Sequence, residues 1–129
     1  MVTLHHFTTP QWLAEQGGWA NPKVVEAFAR YVARVRDALG DLVRYWITIN
    51  EPMVFVRMHY LQGLGPPGTR DLKQGIQVLE HLLRAHAAAY HLLHETRAEG
   101  RPAPCVSVAQ YVPVFSPCHW WSPLDHGVA

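Results

Sequence analysis

Five segments of the chain have a regular hydrophobic pattern, which predicts three strands separated by two helices. Residues 2–4, 43–49 and 106–111 are rich in β-branched and aromatic side chains, as short strands are. Between them, apolar residues recur every three or four positions over residues 22–40 and again over about 71–99, which is helical spacing. Strands separated by long helices predict βαβ units and a parallel sheet.

The ends and the inner faces of both helices are also predicted from the sequence. Asn21 is a good N-cap with Pro22 at the first helical position, and Gly40 is a suitable C-terminal stop. Gly100 and Pro102 end the second helix in the same way. The predicted inner faces consist of Val25, Phe28, Val32, Val35 and Leu39 in the first helix and of Ile76, Leu79, Leu83, His86, Tyr90 and Leu93 in the second.

The composition is that of an ordinary globular domain, and it argues against several classes of partner. The 129 residues are 49% hydrophobic and 16% charged, with a formal net charge of +1 and no basic stripe. A nucleic acid or an anionic membrane is therefore not an expected partner. No apolar run is long enough to span a bilayer, and no signal peptide is visible. Cys105 and Cys118 lack a Cys-x-x-Cys spacing, which favours free thiols in a cytoplasmic protein.

The most informative segment is residues 46–52, where a strand pattern ends in an amide, a carboxylate and a proline. Pro52 lacks a backbone donor and disfavours helical backbone at Glu51, so the strand is predicted to end there. Asn50 and Glu51 then lie at the carboxyl end of a strand, where parallel α/β folds place their reactive groups. A bare Asn-Glu-Pro tripeptide is more often a solvated turn, and the functional interpretation depends on the rest of the chain.

Several motifs in the correct order resemble those of glycoside hydrolase family 1, the retaining β-glucosidases and their relatives. Residues 2–10 look like a strand that usually reads V-T-L-Y-H-W-D-L-P in that family, and residues 17–19 match its G-G-W. Residues 46–52 match its W-x-T-x-N-E-P signature, and residues 60–68 are similar to its Y-x-x-G-x-x-x-P-G loop. The ordered set is far more specific than any single motif.

The resemblance implies a (β/α)8 TIM barrel, of which residues 1–129 supply strands three to five as a partial barrel in β-α-β-α-β order. A complete barrel normally needs about 250 residues, so the chain is expected to be part of a larger unit. The implied activity is hydrolysis of terminal β-D-glycosidic bonds with retention of configuration. The substrate is expected to be a β-glucoside or a related oligosaccharide, and no cofactor is implied.

The family's functional residues can be carried over to four positions of this sequence. Glu51 matches the general acid/base, and Asn50 matches the group that donates to the sugar 2-hydroxyl. His6 matches a donor to another hydroxyl of the same sugar. Phe7 stands where the family usually has Trp, so it offers the sugar an apolar surface but no indole N–H donor.

Two departures from the family pattern leave two interpretations open. A retaining glycosidase needs a second carboxyl about 5–5.5 Å from the acid, and the family's T-E-N-G-like nucleophile motif has no match in this chain. Thr8 and Thr9 also replace the family's Asp and Leu. The chain is therefore expected to be either an enzyme within a complete barrel or an inactive half-barrel. An open sheet favours self-association or complementation by the missing barrel segments.

Nine histidines raise the question of a metal site, but their spacing argues against one. His81, His86 and His91 step by five residues and drift around the predicted helix, and only His91 and His94 share a face. No His-Glu-x-x-His motif is present. We therefore expect no metal, and we expect His86 to pack between its helix and the sheet.

Overall fold

The computed structural model describes residues 1–95 and 102–127, and its three strands form one parallel sheet in the order β1-β2-β3. The predicted strands and the parallel sheet are confirmed. The strands are β1 (Val2–His5), β2 (Tyr45–Asn50) and β3 (Cys105–Ala109). The helical elements are α1 (Gln11–Ala14), a 3₁₀ turn (Gly18–Ala20), α2 (Val24–Leu39), α3 (Pro52–Val56), a π-helix (Arg57–Leu61), α4 (Leu72–Glu95) and α5 (Pro123–His126).

Helix α2 packs on α4 through the apolar positions at four-residue steps. Val24 and Val32 are fully buried and Phe28 is 7% exposed. The helix begins two residues later than predicted, because Asn21 organises the preceding turn and does not cap the helix. The Asn21 side-chain oxygen accepts a hydrogen bond from the backbone N–H of Lys23 at 3.0 Å. The helix ends at the predicted place.

The predicted inner face of α4 is wrong at three of its six positions: Leu93 is buried and Leu79 and His86 are partly buried, as expected, but the other three are not. Ile76, Leu83 and Tyr90, which were expected inside, are 62%, 53% and 41% exposed. The face that is buried instead contains several small residues, which allow close packing against the neighbouring elements. A Cβ atom added to Gly75 would already lie 3.0 Å from the Leu61 side chain. The buried residues of this face are Gly75, Val78, His81, Leu82, Ala85, Ala89 and Leu93.

The large apolar residues of α4 instead form an exposed row, which we call the outer stripe. It consists of Leu72, Ile76, Leu83 and Tyr90, all of them more than 40% exposed. The predicted C-terminal end of the helix, near Glu99, lies outside the described residues. Among the residues that the structure describes, no helix has the length and apolar character needed to cross a bilayer.

The core lies between the sheet and the α2–α4 layer. Trp46 and Ile49 of β2 are 2% and 1% exposed, and Phe55 and Tyr60 extend the core to the carboxyl ends of the strands. Cys105 and Cys118 are free, as predicted, and both are exposed. The sheet and this core therefore fix the strand ends, where the candidate functional residues lie.

Candidate active site

The register of the sheet brings the ends of β1 and β2 to one edge. Val2 pairs with Trp46 and His5 pairs with Ile49. The next residues along the two strands are His6 and Asn50, so these two polar residues lie at the same level of neighbouring strands. Parallel strands have their carboxyl ends on the same side of a sheet.

Glu51 follows Asn50 and leaves the strand in an unusual backbone conformation. Its φ and ψ angles are 44° and 60°, which is the left-handed region. Its N–H donates to the carbonyl of Ala109 at 2.7 Å, and its own carbonyl accepts from the N–H of Phe55 at 2.9 Å. The extended backbone ends here, so the alternation of side chains between the two sheet faces no longer applies. Pro52, at the first position of α3, ends the strand as predicted.

Phe7 also has a left-handed backbone, with φ 67°. His6, just before it, is exposed, while Phe7 is partly buried. The carbonyl of His6 accepts a hydrogen bond from the N–H of Thr8 at 2.8 Å, which turns the chain sharply after β1. The structure thus brings all four predicted site residues to one edge of the sheet: His6, Phe7, Asn50 and Glu51.

His86 lies between α4 and the sheet, as expected, and contributes to the polar link beneath the strand ends. Its Nδ1 lies 2.7 Å from the hydroxyl of the fully buried Thr48. The Thr48 hydroxyl donates to the carbonyl of Ser107 at 3.3 Å, so the His86 nitrogen is the donor to Thr48. Burial lowers the pKa of His86. This chain of hydrogen bonds ties α4, β2 and β3 together.

An aromatic cluster that was not predicted from the sequence supports the ends of both strands. We define it as His5, Phe7, Trp19, Phe55 and His59. The Phe55 ring lies 5.3 Å from the His5 ring, 6.1 Å from the Phe7 ring and 4.4 Å from the His59 ring, centroid to centroid. Because the backbone of Phe55 is bonded to Glu51, this residue connects the end of β1 to the end of β2.

The π-helix places His59 in this cluster. The His59 Nδ1 donates to the carbonyl of Pro66 at 2.6 Å and so fixes the loop that precedes α4. A Cβ atom at Gly65 would lie 2.6 Å from the His59 ring, so this loop position requires glycine. Single-turn π-helices are frequent at functional sites, but we found no sequence signal that predicts this one.

His5 is the most perturbed group of the cluster. It is 6% exposed, and its Nε2 accepts a hydrogen bond from the indole N–H of Trp19 at 3.1 Å. Burial, with a smaller contribution from the charges of His6 and His59, lowers the pKa of His5 from 6.5 to about 4. Its Nδ1 is buried and has no hydrogen-bond partner among the described residues.

A cavity of about 590 Å³ lies beside the cluster, between the loop after β1, the π-helix and the loop before α4. Its walls are mainly apolar and include Phe7, Trp19, Phe55 and Tyr60, but not His6, Asn50 or Glu51. The polar residues of the strand ends therefore lie outside this cavity. Within the described part of the chain, no group of three or more His, Cys, Asp or Glu side chains is arranged to hold a metal ion.

Known proteins with similar sequences include several β-glucosidases. β-Glucosidase A of Thermotoga maritima is 39% identical over 100 residues, which cover 78% of this chain and 22% of that protein. A human cytosolic β-glucosidase is 41% identical over 92 residues, covering 70% of this chain and 20% of that protein. The chain thus spans about a fifth of the length of these relatives.

Solved structures give the same result. A Thermotoga maritima β-glucosidase in complex with deoxynojirimycin superposes with a TM-score of 0.82 and 33% identity, covering 94% of this chain and 27% of that one. A β-glycosidase from Pyrococcus horikoshii gives 0.79 and 34% with the same coverage. The sequence model of glycosyl hydrolase family 1 matches residues 1–119. On these grounds the chain belongs to glycosyl hydrolase family 1.

Proposed function

We propose that this chain is part of the (β/α)8 barrel of a retaining β-glycosidase, in which Glu51 is the general acid/base. One observation carries the proposal: Asn50 and Glu51 end β2 at the same level as His6 and Phe7 at the end of β1. These four residues lie within the segment that matches family 1. The names of the relatives support a β-glucoside or a related oligosaccharide as the substrate.

In the proposed mechanism, Glu51 first donates its proton to the oxygen of the leaving group. A second carboxylate attacks the anomeric carbon and forms a glycosyl–enzyme intermediate, and Glu51 then acts as the base that activates water. That second carboxylate comes from a part of the barrel outside residues 1–129. We propose no cofactor, because both steps need only carboxyl groups and water.

Asn50, His6 and Phe7 are proposed to bind the sugar in the subsite next to Glu51. The Asn50 amide both donates and accepts, which suits a hydroxyl group, and we assign it to the 2-hydroxyl. A contact with the 2-hydroxyl strengthens in the transition state, so it raises the rate as well as the affinity. His6 binds a further hydroxyl, and Phe7 provides an apolar wall. A cytoplasmic location is also proposed, because two relatives are cytosolic enzymes.

The acid role is tested by replacing Glu51 with Gln in a complete barrel that contains these residues. Substrates with poor leaving groups should lose nearly all activity, whereas activated aryl glycosides need little acid assistance and should lose much less in the glycosylation step. Glu15→Gln, at an exposed position after α1, is the matched control and should have no effect. An equal loss for leaving groups of widely different pKa would disprove the acid assignment.

The second candidate function is that of an inactive half-barrel that folds and self-associates. The outer stripe of α4 favours this candidate, because its apolar side chains are exposed. Among the described residues, β1 and β3 each pair with a neighbouring strand on one side only, and open edges favour association. Light scattering and an aryl β-glucoside assay on the 129-residue chain distinguish the two. Steady turnover by a monomer, abolished in Glu51→Gln, would contradict both the half-barrel and the need for a second carboxylate from elsewhere.

A further inference from the structure

The hydrogen bond between Trp19 and His5 requires an uncharged imidazole. The indole N–H of Trp19 is a donor only, so the His5 Nε2 must be an acceptor. In a neutral imidazole the other nitrogen then carries the hydrogen, so His5 is the Nδ1–H tautomer. Protonation of His5 would place an N–H at Nε2, and two donors would face each other at the 3.1 Å distance of this bond.

Trp19 holds the 3₁₀ turn of residues 18–20 against three other elements. Its indole bonds to His5 of β1, and its ring packs on Phe28 of α2 with centroids 5.7 Å apart. Its carbonyl accepts a hydrogen bond from the Nδ1 of His81, on α4, at 2.8 Å. Trp19 is only 2% exposed. Of these three contacts of Trp19, the hydrogen bond to His5 is the one that requires an uncharged imidazole.

We propose that the His5–Trp19 pair is a pH-sensitive latch, in which neutral His5 fastens the 3₁₀ turn to β1 and protonated His5 releases it. Because Trp19 also lines the cavity beside Phe7, release opens that cavity from the side of the turn. This inference concerns the chain itself and does not depend on the proposed glycosidase activity.

The groups around His5 offer nothing that would stabilise a protonated ring within the closed structure. His6 on β1 and His59 on the π-helix both oppose a positive charge on His5. His81 is a donor to the Trp19 carbonyl, and Tyr60 of the π-helix is a neutral phenol. Among the described residues, no ion pair involves His5, His6, His59 or His81, so no carboxylate paired with these rings would stabilise an imidazolium.

The direction of the pH effect follows from the two protonation states. His5 has a pKa of about 4 when the latch is closed, against 6.5 when it is exposed to water. The open state therefore binds the proton more readily, so the closed state is fully favoured above pH 6.5 and loses stability as the pH falls towards 4. Over this interval the equilibrium constant for opening should rise about tenfold for each unit by which the pH falls.

Nuclear magnetic resonance on the 129-residue chain tests the latch. Ring nitrogen shifts should show His5 as the neutral Nδ1–H tautomer at about pH 7. Protection of the Trp19 indole N–H against hydrogen exchange, corrected for the intrinsic rate, should fall about tenfold per pH unit below about 6.5. The Trp46 indole is the internal control, since it donates to the carbonyl of Val43, which does not titrate. Its protection should stay higher than that of Trp19.

Three variants make the test specific. His5→Gln retains an acceptor that does not titrate, so the steep pH dependence at Trp19 should disappear. His91→Gln, at an exposed position of α4, is the matched control and should retain it. Trp19→Phe removes the donor that favours the neutral ring, so it should raise the pKa of His5, a result that does not require the Gln variant to fold.

The proposal is overturned by any of three results. His5 titrating near 6.5 in the unchanged chain would show that the closed latch does not hold it neutral. An unaltered pH dependence in His5→Gln would assign the effect to another group. Equal protection and equal slopes at Trp19 and Trp46 would show unfolding of the whole chain and not release of one turn.

Discussion

Phe7 and Glu51 occupy corresponding positions just beyond the carboxyl ends of two neighbouring strands, and both have a positive φ angle. Phe7 comes two residues after His5, and Glu51 comes two residues after Ile49, its partner in the sheet. Their φ angles are 67° and 44°, and they are the two non-glycine residues with positive φ in the described part of the chain. Such a conformation costs about 1–2 kcal/mol in a residue with a Cβ atom. Backbone strain of this kind is concentrated at functional sites.

The backbone of Glu51 can be tested by comparing glycine with alanine. Glu51→Gly should be more stable than Glu51→Ala by about 1 kcal/mol, because alanine retains the Cβ atom that strains a left-handed backbone. Urea denaturation measures the difference. The matched control is Ala87→Gly on the exposed side of α4, where glycine should instead be destabilising by about 1 kcal/mol. Finding alanine the more stable residue at position 51 as well would contradict the left-handed conformation.

The proposed role of Asn50 predicts a specific pattern of kinetic losses. In a complete barrel, Asn50→Ala should reduce kcat/KM by about 2–4 kcal/mol, with much of the loss in kcat, because the 2-hydroxyl contact is strongest in the transition state. In this variant, removing the 2-hydroxyl from the substrate should cause little further loss of kcat/KM. Steady-state kinetics on both substrates with both enzymes give the comparison. If the two losses add, Asn50 does not bind the 2-hydroxyl.

Thr48 should matter for stability although no catalytic role is proposed for it. Thr48→Val keeps the shape of the side chain but leaves the His86 Nδ1 and the Ser107 carbonyl without their partner. We expect a loss of about 0.5–1.5 kcal/mol in the free energy of unfolding, since two partly buried hydrogen bonds are lost. Thr3→Val, on an exposed position of β1, is the control and should change stability by no more than about 0.5 kcal/mol. Equal effects of the two substitutions would argue against the hydrogen bonds that join Thr48 to His86 and Ser107.

Tyr60 should limit the stability of the chain at alkaline pH. Burial raises the pKa of its phenol from 10.0 to about 12. The unfolded chain therefore releases this proton first, so stability falls as the pH rises from 10 towards 12. Tyr60→Phe should remove a loss on the order of 2 kcal/mol at the upper end of this range. Tyr45→Phe, at a half-exposed position, is the control and should keep this loss. Urea denaturation at several alkaline pH values measures the stability of both variants. The same fall in stability with pH in both would contradict the role of Tyr60.

The parts of the site that depend on local chemistry were predictable from the sequence. Pro52 marks the end of β2, and the strand patterns around His6 and Asn50 place both at carboxyl ends. The buried face of α4 was not predictable from large apolar residues alone, because several of its buried positions hold small ones such as Ala85 and Ala89. The bond between His5 and Trp19 joins residues whose contact depends on how the loop after β1 folds back. A hydrophobic pattern carries no information of that kind.

The register between β1 and β2 determines where the chain can change in length. The relative height of His6 and Asn50 is set by strand pairs such as Val2 with Trp46, and not by the number of residues that connect the strands. An insertion in the exposed turn at residues 40–42 therefore leaves both strand ends where they are. A single residue inserted within β2 would instead exchange its two faces and send the Ile49 side of the strand towards solvent. Homologous chains should thus vary in length between these elements and not within them.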